Sequence, residues 1–115
     1  DGAFLAILRT ATAGLAARLD FTLDDIEDLR IAVDEACALL LPQARPDSDL
    51  VCAFFSDEAR LTVTVTASSD EPKEPSRDGF AWTVLSALTS SLDVAVSEDR
   101  LTIRLSRVAE GADAR

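Results

Sequence analysis

At 115 residues the chain fits one domain, able to bury roughly two-thirds of the surface its unfolded form exposes without disulfide or metal staples. A formal net charge of −10 with no histidine excludes His-based triads and imidazole metal sites, and it argues against nucleic acid, whose phosphates call for clustered Lys and Arg. No apolar run nears the roughly 18 residues of a membrane span, so a soluble protein suited to a basic protein partner is expected.

Phe4, Leu8, Ala11, Leu15 and Leu19 recur at helical spacing, with Arg9 and Thr10 on the opposite side, and predict a first helix over about 4–19. Thr22 is a good N-cap for a second helix. Asp25 stands at the capping-box position, and Phe21 and Ile26 flank the cap as a hydrophobic staple would. The stripe of that helix is Ile26, Leu29, Val33, Ala36 or Cys37, and Leu40. Asp24, Asp25, Glu27 and Asp28 crowd its positive dipole end, and Pro42 stops it.

Leu50–Phe55 is a short apolar run, and Leu61, Val63 and Val65 alternate with Thr62, Thr64 and Thr66 beyond a polar turn at 56–59, which predicts a β-hairpin. Residues 67–77 carry Pro72 and Pro75 and read as a polar loop. A third helix over about 78–91 would bury Ala81, Val84, Leu85 and Leu88. A closing hairpin would pair 92–96 with 101–107 around Ser97-Glu98-Asp99-Arg100, leaving 109–115 as a frayed tail. The order α-α-β-β-α-β-β predicts an α+β, two-layer sandwich: one domain over 1–108, with helices on one face of a sheet. There is no internal repeat.

Little of the chain points to catalysis. The four glycines, Gly2, Gly14, Gly79 and Gly111, are scattered singly and form no Walker-type loop. Asp34 and Glu35 lie in the C-terminal half of the second helix, where a carboxylate could serve as general base beside a nucleotide, or simply form a solvated face. Cys37 and Cys52 sit in apolar stretches and read as small hydrophobes in a reducing, cytoplasmic setting, with pairing left open. The opening Asp1-Gly2-Ala3-Phe4 lacks signal-peptide features, and with no Met in the sequence the natural start is expected upstream.

The run Thr22-Leu23-Asp24-Asp25-Ile26-Glu27-Asp28-Leu29-Arg30-Ile31-Ala32-Val33-Asp34-Glu35-Ala36-Cys37 resembles the second helix of the RsbW-type anti-sigma factors, serine-protein kinases of the GHKL ATPase fold. Gly79-Phe80-Ala81-Trp82-Thr83-Val84-Leu85-Ser86-Ala87-Leu88 is similar to that family's third-helix segment, and Leu101-Thr102-Ile103-Arg104-Leu105 to its last strand. The resemblance implies a histidine-kinase-like ATPase (Bergerat) fold: a mixed, mostly antiparallel sheet with three helices on one face and a first strand lying before Asp1.

It also implies a nucleotide site from which this chain departs. Glu35 matches the family's proposed catalytic base, but the following asparagine that holds magnesium is Leu39, which offers no oxygen to a hard cation. The first glycine box falls on Ala67-Ser68-Ser69-Asp70-Glu71-Pro72, without glycine, and the second survives only as Gly79. Phe80 and Trp82 are expected to fill the vacated space, although Trp82 also reads as core. The resemblance therefore implies a member that keeps the scaffold and has lost the nucleotide, with Glu35 and Gly79 vestigial and no cofactor or metal. ATP and magnesium enter only under the alternative of an active kinase in which Asp34 or Asp70 replaces the lost ligand.

Arg9 looks like the counterpart of a family arginine that contacts both the sigma factor and the anti-anti-sigma protein, with Thr10 and Ala13 sharing its face. The implied function is an anti-sigma factor, a homodimer as in the family, that sequesters a sigma factor and releases it by competition with the antagonist. A third reading is an adaptor that binds the antagonist alone.

Overall fold

The computed structural model describes residues 21–57 and 59–109. Helix α1 spans Leu23–Leu40 and runs into a 3-10 turn, Leu41–Gln43. Strands β1 (Val51–Asp57) and β2 (Arg60–Ser68) follow, then α2 (Phe80–Leu88), β3 (Ser91–Val96) and β4 (Arg100–Val108). The four strands form one sheet in the order β1-β2-β4-β3. Every described pairing is antiparallel, so the mixed sheet expected from the family is not what these strands form. Two helices are described, and the predicted helix over 4–19 lies outside the described residues.

The start of α1 follows its sequence signals. The Thr22 side chain accepts a hydrogen bond from the Asp25 amide at 3.0 Å, and the Asp25 carboxylate accepts one from the Thr22 amide at 3.2 Å, closing the capping box. Beyond it Leu29, Ala32, Val33, Ala36, Cys37 and Leu40 are buried, the three- and four-residue rhythm of one helix face. The α-helix ends at Leu40, where Pro42 turns the chain into the 3-10 segment.

Alternation orders the sheet. Leu61, Val63, Val65 and Ala67 of β2 and Leu101, Ile103 and Leu105 of β4 are buried, and register places Leu61 beside Arg107, Val63 beside Leu105 and Val65 beside Ile103. The opposite face carries Thr62, Thr64 and Thr66 of β2 with Thr102, Arg104 and Ser106 of β4; Thr66 and Thr102 share a hydroxyl hydrogen bond at 2.8 Å. Burial of each large aliphatic side chain contributes roughly 2 kcal/mol, so these two inward rows are the main source of stability.

The same alternation carries Arg107 onto the buried face, two residues past Leu105. Its guanidinium donates to Asp25 Oδ1 through Nε at 3.0 Å and Nη2 at 2.8 Å, reaches Asp28 Oδ2 at 3.1 Å, and donates through Nη1 to the Leu88 carbonyl at 2.7 Å. Asp25 is 0% exposed and the Arg107 side chain 14%. The arrangement sets an acid at the positive end of α1 and a cation on the last carbonyl of α2, so each helix dipole is complemented by one member of the ion pair.

Element bounds differ modestly from expectation. Helix α2 is shorter than the predicted 78–91: Gly79 is the N-cap, and Thr89 leaves the helix in extended conformation with its hydroxyl on the Leu85 carbonyl. Ser90 then joins the sheet, its amide bonding the Ser106 carbonyl and its hydroxyl accepting from the Val108 amide. Trp82 and Leu85 are its buried residues, while Ala81, Val84 and Leu88 are only half-buried. Ala109, expected to open a frayed tail, is buried and continues the β2–β4 pairing through a hydrogen bond from its amide to the Ala59 carbonyl.

Because Arg107 neutralises a carboxylate that water cannot reach, Arg107→Met should cost about 3 kcal/mol, the expense of leaving one half of a buried ion pair behind. The check is urea unfolding, with a lower midpoint at unchanged slope. Arg107→Lys should recover only part of the loss, since an ammonium cannot hold Asp25 and the Leu88 carbonyl in one planar fork.

Candidate functional site

Arg107 brings the first turn of α1 beside the last residue of α2. Of the sequence-predicted site residues, Glu35 and Leu39 lie on α1, and Gly79 is the N-cap of α2. Glu35 is half-buried, and Leu39, one turn on along α1, packs against the apolar core.

The loop from β2 to α2 is fastened by its own contacts. The Ser69 amide donates to the Asp99 carbonyl at 2.9 Å and the Arg45 amide to the Ser68 carbonyl at 2.8 Å. Gln43 pairs with the Lys73 backbone through two hydrogen bonds of 2.9 Å, its Nε2 donating to the carbonyl and its Oε1 accepting from the amide. Arg45 Nε meets Asp70 Oδ1 at 2.6 Å. Around these contacts lies an open cleft of about 530 Å³, lined by Gln43, Ala44, Arg45, Pro46, Ser69, Asp70, Glu71 and Lys73. Asp70, weighed from sequence as a replacement metal ligand, is here engaged by Arg45.

Gly79 adopts φ −77° and ψ 157°, a conformation open to any residue. A Cβ there would meet only the Ser76 carbonyl oxygen, at 3.5 Å, an ordinary contact. Its amide donates to that same carbonyl at 3.4 Å. The backbone at this glycine therefore needs neither the conformational freedom nor the close approach that a phosphate-cradling turn requires.

The two aromatic residues beside it part company. Trp82 is 8% exposed and belongs to the core, with the Arg77 guanidinium 5.1 Å above its ring, as expected of a packing residue that also takes a cation on its exposed side. Phe80, by contrast, is 82% exposed and fills no internal space. The expectation that both would plug a vacated pocket fails for Phe80, because the first turn of α2 points that position outward.

Among the described residues no three His, Cys, Asp or Glu side chains gather as a metal site. Leu39, where the family resemblance implies a magnesium ligand, is apolar and offers no oxygen to a hard cation. Arg9, Thr10 and Ala13, the predicted partner-binding residues, lie outside the described residues. The sequence reading missed the pairings of Gln43 with Lys73 and of Arg45 with Asp70. Gln43 meets the Lys73 backbone and Arg45 the Asp70 carboxylate, partners 30 and 25 residues apart that sequence spacing does not join.

Taken together, these features define an α+β domain compatible with the GHKL-type fold. The anti-sigma-F factor RsbW of Mycobacterium tuberculosis is 32% identical over 114 residues, spanning 91% of this chain and 68% of that protein. The serine-protein kinase RsbW of Bacillus velezensis is 39% identical over 70 residues, spanning 58% of this chain and 44% of that protein. Its counterpart in Bacillus thuringiensis is 38% identical over 64 residues, spanning 54% and 40%. No protein-family profile matches the chain. The chain belongs to the RsbW family of anti-sigma factors and serine-protein kinases.

If Gly79 serves only as a helix cap, Gly79→Ser should leave the fold intact and stabilise it by a few tenths of a kcal/mol, because a serine hydroxyl can accept from the open amides of α2. Thermal unfolding measures this directly; a loss above about 1 kcal/mol would mean that the backbone there depends on glycine.

Proposed function

We propose that this chain is an anti-sigma factor that binds a sigma factor directly, in the cytoplasm, and is displaced from it by an anti-anti-sigma antagonist without consuming ATP. The observation that carries the reading is the match over 91% of the chain to a protein named for anti-sigma-F activity. The net charge of −10 fits association with a basic protein surface. No described helix is long and apolar enough to cross a membrane.

The nucleotide-free part of the proposal rests on fit. Leu39 packs into the core where a magnesium ligand would be needed, and the segment matching the first glycine box is pinned by Ser69 and Asp70 rather than left to approach a ligand. Gly79 has the geometry of an ordinary cap. The residues present do not suit magnesium-ATP, and no phosphotransfer step is derived from them. Arg9 is proposed as the anchor for both partners, with Thr10 and Ala13 beside it. A homodimer is proposed on the family resemblance, with exposed Val51 and Phe55 on edge strand β1 offering apolar surface.

The second reading, an active serine-protein kinase, is favoured by the retained Glu35 and by the names of the Bacillus relatives. Calorimetry separates the two: the purified chain titrated with ATP and magnesium should give no binding heat, while an alternative sigma factor from the same host should bind. Micromolar nucleotide binding, with phosphate transfer to the antagonist abolished by Glu35→Ala, would establish the kinase instead. Under the first reading Arg9→Glu should weaken the sigma factor and the antagonist alike, by at least about tenfold for a charge reversal at an interface anchor. Unchanged affinity for both would remove Arg9 from the interface.

A further inference from the structure

Helix α1 has a second ordered face besides the one that packs into the core. At 3.6 residues per turn, Leu23, Glu27, Ile31 and Ala38 fall within about 80° of one another, centred opposite the buried row of Leu29, Ala32, Val33, Ala36 and Leu40. All four are exposed, Leu23 at 85%, and Leu41 in the 3-10 turn adds an exposed apolar side chain where the helix ends. Single apolar residues on a surface are ordinary, but these lie along the whole of one helix, about 27 Å, interrupted by one glutamate.

The margin of this stripe is acidic. Asp24 stands one turn before Glu27 and Asp28, and Glu35 one turn after Ile31. Arg107 holds Asp25 and Asp28, and Arg30, the one base on α1, holds Glu27. Among the described residues no cation pairs with Asp24 or Glu35. An acid at Asp24 suits the positive end of the helix. Glu35 lies in the C-terminal half, where the dipole disfavours an acid and the last turn carries no base, so helix stability does not account for it.

We propose that this face of α1 is a docking surface for an amphipathic helix of a partner protein, one whose apolar stripe is flanked by lysine or arginine. Leu23, Ile31, Ala38 and Leu41 would seat that stripe, while Asp24 and Glu35 pair with the flanking cations and fix the register of the partner helix along α1. The same charges decide against other occupants: a second copy would set acid against acid, and an anionic membrane would be repelled. The inference rests on the reading that the chain works by binding a protein, and it adds a contact surface to the one proposed around Arg9.

The test uses the purified, isotope-labelled chain and a synthetic peptide of about 18 residues, the length of α1, with leucines at helical spacing and lysines on both flanks. Backbone amide chemical shifts should move saturably over residues 23–41 at about 150 mM salt. Ile31→Lys, which sets a cation in the stripe at an exposed position, should weaken the peptide at least about tenfold, and Glu35→Gln about threefold. Ser97→Lys, in the exposed turn before β4, adds the same charge off the helix and should leave the affinity within about twofold. That matched change separates a docked helix from general attraction to an acidic chain.

Shifts centred elsewhere or spread over the surface, no saturable shift up to about 1 mM peptide, or equal weakening by Ile31→Lys and Ser97→Lys would each overturn the proposal. So would concentration-dependent shifts of residues 23–41 without peptide, the mark of a second copy, or binding to phosphatidylcholine vesicles that Ile31→Lys abolishes, the mark of a lipid surface. The peptide carries no sigma-factor sequence, so a chain that bound no sigma factor would remove the function proposed above and leave this result standing.

Discussion

One arginine decides how the helices sit on the sheet. Arg107 ends the inward row of β4, and its guanidinium is shared among Asp25, Asp28 and the Leu88 carbonyl. A buried ion pair adds little net stability, because desolvation offsets most of the attraction. What it supplies is direction: three groups from two helices must converge on one planar fork, and sliding either helix by a turn would strand a charge away from water. The aliphatic rows of β2 and β4 provide the burial energy, but apolar contacts alone would tolerate several helix placements.

That constraint acts at the start of α1 and the end of α2. Elsewhere, the connections between elements are held by weaker means. Arg45 and Asp70 form an exposed pair of the kind that contributes less than about 1 kcal/mol. The two Gln43–Lys73 hydrogen bonds are exposed and worth roughly 1 kcal/mol each. The Ser69 and Arg45 amides add two backbone bonds. Their combined strength is enough to order a loop, yet small beside the core, so this loop can be remodelled without unfolding the domain.

The sequence disclosed what is local and periodic. Thr22 and Asp25 announced the capping box, and the stripe through Leu40 gave the buried face of α1. Alternation gave β2 and β4 to within about two residues. Arg107 was legible by the same alternation, as an inward position occupied by a charge, but its partners at residues 25, 28 and 88 belong to other elements and could not be read from spacing. Gly79 stood out by type, whereas its unremarkable dihedral angles emerge only from coordinates. Phe80 was expected to fill the vacated nucleotide space and proved exposed, because at the first turn of a helix the direction of a side chain depends on how the helix docks. The resemblance to the RsbW family supplied the rest, since no motif in the chain carries its chemistry alone.

The position of Leu39 links the packing argument to the functional one. A side chain serving as a magnesium ligand must present oxygen to an open site, at the expense of core contacts in that turn of the helix. Leu39 does the reverse: it joins the cluster that includes Leu40, Ala36 and the inward face of the sheet. Replacing it with asparagine would trade buried apolar area for a polar group needing partners of its own. Under the proposed reading, gain of core packing and loss of the cation are one event rather than two. The scaffold then requires no ligand to complete its core, and what remains for selection to act on is the surface that meets a partner.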